Sequence, residues 1–195
     1  YLYCGLSRDA SKEEILERIN NNTITDILNK IEVKAGDVVM VKAGTIHAIG
    51  AGVFICEIQQ NSNCTYRMYD YDRRDKFGNP RELHVKKALD VVDNHKYIKD
   101  NKTEVVIARN EHFTEERLVQ CKYFEVYKYD VNDEAKITVD EASFVSVLFI
   151  NGSGTIETDD YEKTMEFKAG DSFFVSAGLR SIIIKGQATM VVTRV

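Results

Sequence analysis

Residues 31–50 read IEVKAGDVVMVKAGTIHAIG, and residues 165–184 read MEFKAGDSFFVSAGLRSIII. Nine of these twenty aligned positions are identical, among them the whole of Lys-Ala-Gly-Asp and the second Ala-Gly pair. Such self-similarity implies one supersecondary unit used twice. Each copy reads as strand, turn, strand, turn, strand, with glycines that permit positive φ in both turns. Asp37 and Asp171 are placed to hydrogen-bond the backbone of the first turn. His47 aligns with Ser181, so the unit does not need a histidine at that position to fold. A lone histidine in an apolar segment is ordinarily a hydrogen-bonded core residue. The second copy argues against that here and points to a metal ligand on a barrel strand. A zinc site takes three or four ligands, so His47 alone is short of partners.

The rest of the chain extends this β pattern. From Glu32 to Tyr71 the apolar period is two, with glycine punctuation. From Thr103 onward the signals are all of strands: EVVIA, YFEVYKY, SFVSVLFI, GTIET, MEFKAG, SFFVS, RSIIIKG and ATMVVTRV. Short strands at this spacing suggest an antiparallel sandwich or barrel. Three short helices are expected. Ser11-Lys12-Glu13-Glu14 forms a capping box ahead of Ile15, Leu16 and Ile19. A second helix, starting at Thr23 or Thr25, carries Ile24, Ile27, Leu28 and Ile31, and a third spans Arg81–Val92 with Pro80 at its first turn. The expected domains are residues 1–98 and residues 99–195, divided where the third helix gives way to IKDNKT.

The chain has 195 residues and a net charge of −5, which gives no global field to attract nucleic acid or an anionic membrane. An anionic ligand must meet local positive charge. No apolar run approaches the length of a membrane span. Cys4, Cys56, Cys64 and Cys121 show no CxxC or framework spacing, so a reducing, cytoplasmic setting is expected. The chain opens on Tyr1 within strand-like YLYCGL, which suggests that an upstream part belongs to it.

The densest collection of chemistry follows His47. Two strand-like runs, VFICEIQQ and CTYRMYDYDR, flank Asn61-Ser62-Asn63 as a hairpin loop. In that register Glu57 lies opposite Arg67, and Glu57, Gln59, Arg67, Tyr69, Tyr71 and Arg73 share one face. Phe54, Cys56, Ile58, Tyr66 and Met68 form the other, a natural core set. The polar face reads in two ways. It is either a solvated surface with a cross-strand ion pair or a cleft lining, where Arg67 and Arg73 hold an anion and Glu57 orients Arg67 or a hydroxyl. Arginine suits phosphate because its planar fork donates two parallel hydrogen bonds. His84, His95 and His112 have no partners at ligand spacing and read as ordinary surface or core residues.

GTIHAIGAG, EIQQNSNCTYRMYDYDR and GNPRELH together resemble the type I phosphomannose isomerases, especially their short bacterial form. The resemblance is specific over residues 31–92, looser through the C-terminal β region, and reaches weakly back to Tyr1. It implies cupin-type antiparallel β-barrels, or jelly rolls, with a few short helices. Residues 1–98 would be the later part of a catalytic cupin, and residues 99–195 a second cupin-like domain without metal, which fits Ser181. It implies the interconversion of mannose 6-phosphate and fructose 6-phosphate by zinc-assisted proton transfer through an enediolate. On this resemblance His47 is a zinc ligand, Arg67 the catalytic arginine, and Glu57 and Arg73 substrate-binding residues, Arg73 toward the phosphate. The family's Gln-x-His and glutamate ligands find no match ahead of His47, and are expected upstream of Tyr1. The 195 residues alone are then expected to be inactive. The proline that commonly precedes the Gly-Thr-Ile-His turn is replaced here by Val41-Lys42-Ala43. The expected partner is a small sugar phosphate, with neither nucleic acid nor membrane. The alternative is a non-enzymatic cupin that binds a sugar or sugar phosphate.

Overall fold

The structure, a computed structural model, describes residues 1–62, 64–99, 105–158 and 161–195, without the side chains of 161–163. Asn63 of the expected hairpin loop and most of the IKDNKT linker lie outside the described residues. Contacts divide the chain into two compact units, Tyr1–Lys99 and Asp100–Val195. The protein is mainly β, and every strand ladder among the described residues is antiparallel.

In the first unit, β1 (Leu2–Leu6) lies between β2 (Leu28–Ile31) and β3 (His47–Ile49). Helix α1 (Lys12–Asn20) packs Ile15 and Ile19 with Leu6, Ile24, Ile27, Leu28 and Val92 in one small core. Its N-cap is half of the expected capping box. Ser11 Oγ accepts the Glu14 N–H at 3.1 Å, but the Glu14 carboxylate turns to Arg8 and Arg18 instead of back to Ser11. Those two guanidiniums hold the Glu14 carboxyl at about 2.

The second helix shortens to a 3₁₀ turn, Ile24–Ile27, because Leu28 and Ile31 enter β2 and pair with β1. The third, α2, runs only over Val85–Val91. Pro80 is not in its first turn but bridges Arg74, so the stretch before α2 is held as a loop. Among the described residues, the strands expected between Glu32 and Tyr71 reduce to β3. An isolated pair of strands is marginal in water without a third strand or a packed face. Phe54 of the expected core set is 90% exposed, and Cys56 and Tyr66 are exposed too. The hairpin ladder is correspondingly absent from the described residues, and with it the pairing of Glu57 with Arg67.

The second unit contains β4 (Val105–Arg109), β5 (Phe113–Gln120), β6 (Glu125–Val131), β7 (Glu134–Val139), β8 (Val145–Thr158), β9 (Tyr161–Lys168), β10 (Ser172–Val175) and β11 (Arg180–Arg194). Two of these, β5 and β7, escape the strand signals read from sequence. SFVSVLFI and GTIET fuse into β8, and RSIIIKG and ATMVVTRV into β11. The two long strands pair along their length, and each changes its outer partner midway. The first half of β8 pairs with β10 and the second with β9, while β11 passes from β7 to β6.

The crossover depends on local sequence. Met190 pairs with Phe149 and Thr189 with Asn151, so Ile150 is an extra residue bulged from the ladder. One inserted residue reverses which side chains face inward. Accordingly Val145, Val147 and Phe149 are buried before it, and Ile156 after it. Beyond the bulge Gly154 pairs with Gly186, and Gly152 with Ala188. A Cβ on Gly152 would collide with the Gln187 carbonyl, so this close approach requires glycine. The core is built from both halves, with Phe149 and Phe167 stacked at 3.7 Å between centroids.

Candidate functional site

His47 opens β3 and pairs with Cys4 of β1, which leaves its ring exposed. Its Nδ1 lies 2.9 Å from the Thr45 carbonyl oxygen, a bond that requires the proton on Nδ1. In the neutral tautomer with that proton, Nε2 is the nitrogen with a lone pair to offer a Lewis acid. Metal-ligating histidines usually donate their other ring N–H to such a backbone carbonyl. The aligned Ser181 is 2% exposed within β11. The two copies therefore put the position to opposite uses, one outward and one packed. As a metal ligand His47 fits, but among the described residues no group of three His, Cys, Asp or Glu surrounds it or forms elsewhere. These residues alone do not complete a metal centre.

The arginines assemble around Asp70. This carboxylate is 8% exposed and receives Arg81 as a two-pronged partner, Nε to Oδ2 at 2.7 Å and Nη2 to Oδ1. The Arg81 bond, then the charges of Arg81, Arg67 and Arg73, hold the Asp70 carboxyl below the ordinary range. The Arg73 N–H donates to the Asp70 carbonyl at 3.0 Å, and its guanidinium lies 5.3 Å from the centre of the Tyr71 ring. Tyr71 in turn packs on Tyr69 at 4.8 Å. An open recess of about 330 Å³ is lined by Arg73, Arg74, Asp75 and Arg81. Arg81 is already engaged by Asp70 and Arg74 donates to Asp72 Oδ1 at 2.9 Å, so an anion in this recess would be met chiefly by Arg73.

Arg67 is fixed from a different side. His84 N–H donates to the Arg67 carbonyl at 2.6 Å, and Arg67 N–H donates to His84 Nδ1 at 3.2 Å. Arg67 Nη1 donates to the Glu82 carbonyl at 3.1 Å. Of the residues expected to form the site, Arg67 and Arg73 share the field of Asp70. Glu57 is exposed, and no contact joins it to Arg67 among the described residues. Asp70, Arg81 and His84 were not singled out from the sequence. The signal for Asp70 and Arg81 was an acid in an otherwise part-apolar stretch, RMYDYDR, which needs a cation of its own to be buried.

The C-terminal unit is that of a cupin domain: the family described as "Mannose-6-phosphate isomerase, cupin domain" matches residues 114–195. Over nearly its whole length the chain is also 41% identical to YvyI and 33% identical to mannose-6-phosphate isomerase ManA, both from Bacillus subtilis (strain 168). These alignments take in 95% and 94% of the chain. The crystal structure of the mannose 6-phosphate isomerase from Bacillus subtilis superposes with a TM-score of 0.88 at 36% identity, covering 100% of this chain and 60% of that one. Residues 114–195 thus match the cupin domain of the mannose-6-phosphate isomerases, and the whole chain is similar to the later part of such proteins. It spans 57% of the length of YvyI and 56% of that of ManA.

Proposed function

We propose that this chain carries part of the active site of a mannose-6-phosphate isomerase, interconverting mannose 6-phosphate and fructose 6-phosphate. Its 33% identity to ManA across an alignment of 94% of the chain supports this reading most strongly. The reaction moves a proton between C1 and C2 of the opened sugar through an enediolate. Arg67 donates hydrogen bonds to the oxygen on which charge develops, or to the substrate phosphate, and its guanidinium stays protonated throughout. Arg73, in the wall of the arginine-lined recess, takes the phosphate, and anchoring this remote group keeps the reacting carbons in register. Glu57 orients a substrate hydroxyl.

His47 Nε2 supplies one ligand to a metal ion, which we assign as zinc, with the remaining ligands to come from elsewhere in the intact enzyme. Bound zinc supplies Lewis acidity toward the sugar oxygens. The setting is cytoplasmic, where sugar phosphates are available and the four cysteines stay reduced. No helix among the described residues is long and apolar enough to cross a membrane.

The test is a coupled isomerase assay on the intact protein, with metal analysis alongside. Arg67→Ala is expected to lower kcat by about 10²–10³-fold, the scale of losing a donor to developing negative charge, with metal content unchanged. His47→Ala is expected to lower metal content as well as turnover. Binding of mannose 6-phosphate without turnover would instead favour a non-enzymatic sugar phosphate-binding cupin.

A further inference from the structure

We infer that His84 is a positioning residue that fixes Arg67 by accepting its backbone N–H, an inference that rests on the catalytic role proposed for Arg67. Arg67 lies in a stretch with no strand ladder. Among the described residues no strand forms between Gly52 and Arg67, where the His84 N–H meets the Arg67 carbonyl. The reciprocal bond, from Arg67 N–H to His84 Nδ1, pins the same residue from its other side. The Glu82 carbonyl then holds the guanidinium tip. Arg67 is therefore gripped at both ends of its side chain by the segment leading into α2.

His84 occupies the N-cap of α2, a position where a polar side chain normally accepts an N–H from the first turn of its own helix. Its side chain makes no such bond. The ring is turned away from the helix and serves Arg67. To accept at Nδ1 it must be neutral, with its proton on Nε2. Glu82 Oε2 faces Nε2 at 3.9 Å, and the Tyr66 ring is tilted against the imidazole at 6.4 Å. A proton on Nδ1 would replace the acceptor with a donor aimed at the Arg67 N–H.

Two measurements test the inference. In nitrogen-detected NMR of the 195-residue chain, His84 should appear as the Nε2–H tautomer, and the Arg67 amide signal should shift as His84 titrates. In the intact protein, His84→Ala should lower kcat tenfold or more with little change in KM. His84→Asn, whose Oδ1 can accept the Arg67 N–H but cannot be protonated, should restore most of kcat and flatten the acid limb of the pH profile. An Arg67 amide indifferent to His84 protonation overturns the inference. So does normal turnover in His84→Ala when Arg67→Ala has abolished it. Normal turnover in Arg67→Ala would instead remove the catalytic reading of Arg67 itself, whereas the NMR result tests the contact independently of that reading.

Discussion

The two copies of the Lys-Ala-Gly-Asp unit carry the same turn in different surroundings. In both, Asp N–H donates to the Lys carbonyl at 3.1 Å, and the Asp carboxylate accepts the Lys N–H, at 3.0 Å for Asp37 and 2.9 Å for Asp171. Gly36 and Gly170 have φ of 93° and 91°, the left-handed third position of a type II turn. Beyond the turn the copies part. The Asp171 carbonyl accepts the Phe149 N–H and the Gly170 N–H donates to the Phe149 carbonyl, which docks the second turn on β8. The first turn has no such dock among the described residues. Four residues suffice to specify a turn, but a strand exists only when something pairs with it.

The comparison breaks most sharply if its core is removed. Phe149→Ala should destabilise the C-terminal unit by about 3–5 kcal/mol, since Phe149 is fully buried and stacked on Phe167. Urea denaturation followed separately in the two units should show this loss in the second alone. A matched loss in the first would mean that the units unfold together. A finer test uses the turns themselves. Asp171→Ala should cost about 0.5–1.5 kcal/mol through its lost hydrogen bond. Asp37→Ala removes the same bond from an undocked turn, and should move the urea midpoint less. Equal shifts would show that docking on Phe149 adds nothing.

The smallest expected effect is one of pH. His112 Nδ1 lies 2.9 Å from Asp133 Oδ1, joining the loop before β5 to the turn before β7. Asp133 raises the His112 pKa, with Glu111 and Glu134 adding to the effect, and His112 lowers that of Asp133. The imidazolium therefore contributes its full stability below the unfolded histidine pKa of about 6.5, and loses it as pH rises through the higher folded value. The carboxylate contributes above its unfolded value of about 3.9 and loses it as pH falls. Both favour folding most between these limits. In His112→Asn the small fall in melting temperature of the second unit from pH 6 to pH 8 should disappear. An unchanged slope would place the titration elsewhere.

What the sequence disclosed divides along the same line. The paired turns, the mainly antiparallel β architecture and the capped start of α1 were legible because each depends on residues within a few positions of one another. Strand β5 was missed because FTEERLVQ has no apolar alternation. It is held by its neighbours through Glu115 to the Tyr129 hydroxyl at 2.6 Å and Glu116 to Lys128 at 3.7 Å. EAKITV does alternate, burying Ala135, Ile137 and Val139, but six residues between turns left little pattern to read. The hairpin after His47 was overread, since its alternation is real but nothing in the described unit covers Phe54. Asp70 was passed over because its partner, Arg81, lies across a loop that no periodicity spans. His84 was read as ordinary because a ligand search by spacing asks what a histidine binds, and not which backbone it steadies.

The paired long strands also bear on how the second unit opens. Because β8 and β11 each run through two sets of neighbours, neither set can detach without releasing amides of both strands. Native-state hydrogen exchange should therefore find the amides of β6, β7, β8 and β11 opening as one cooperative foldon. β4, which among the described strands reaches them only through β5, should exchange ahead of them. The bulge at Ile150 that reverses the strand's faces is thus also the joint that makes them a single unit of unfolding.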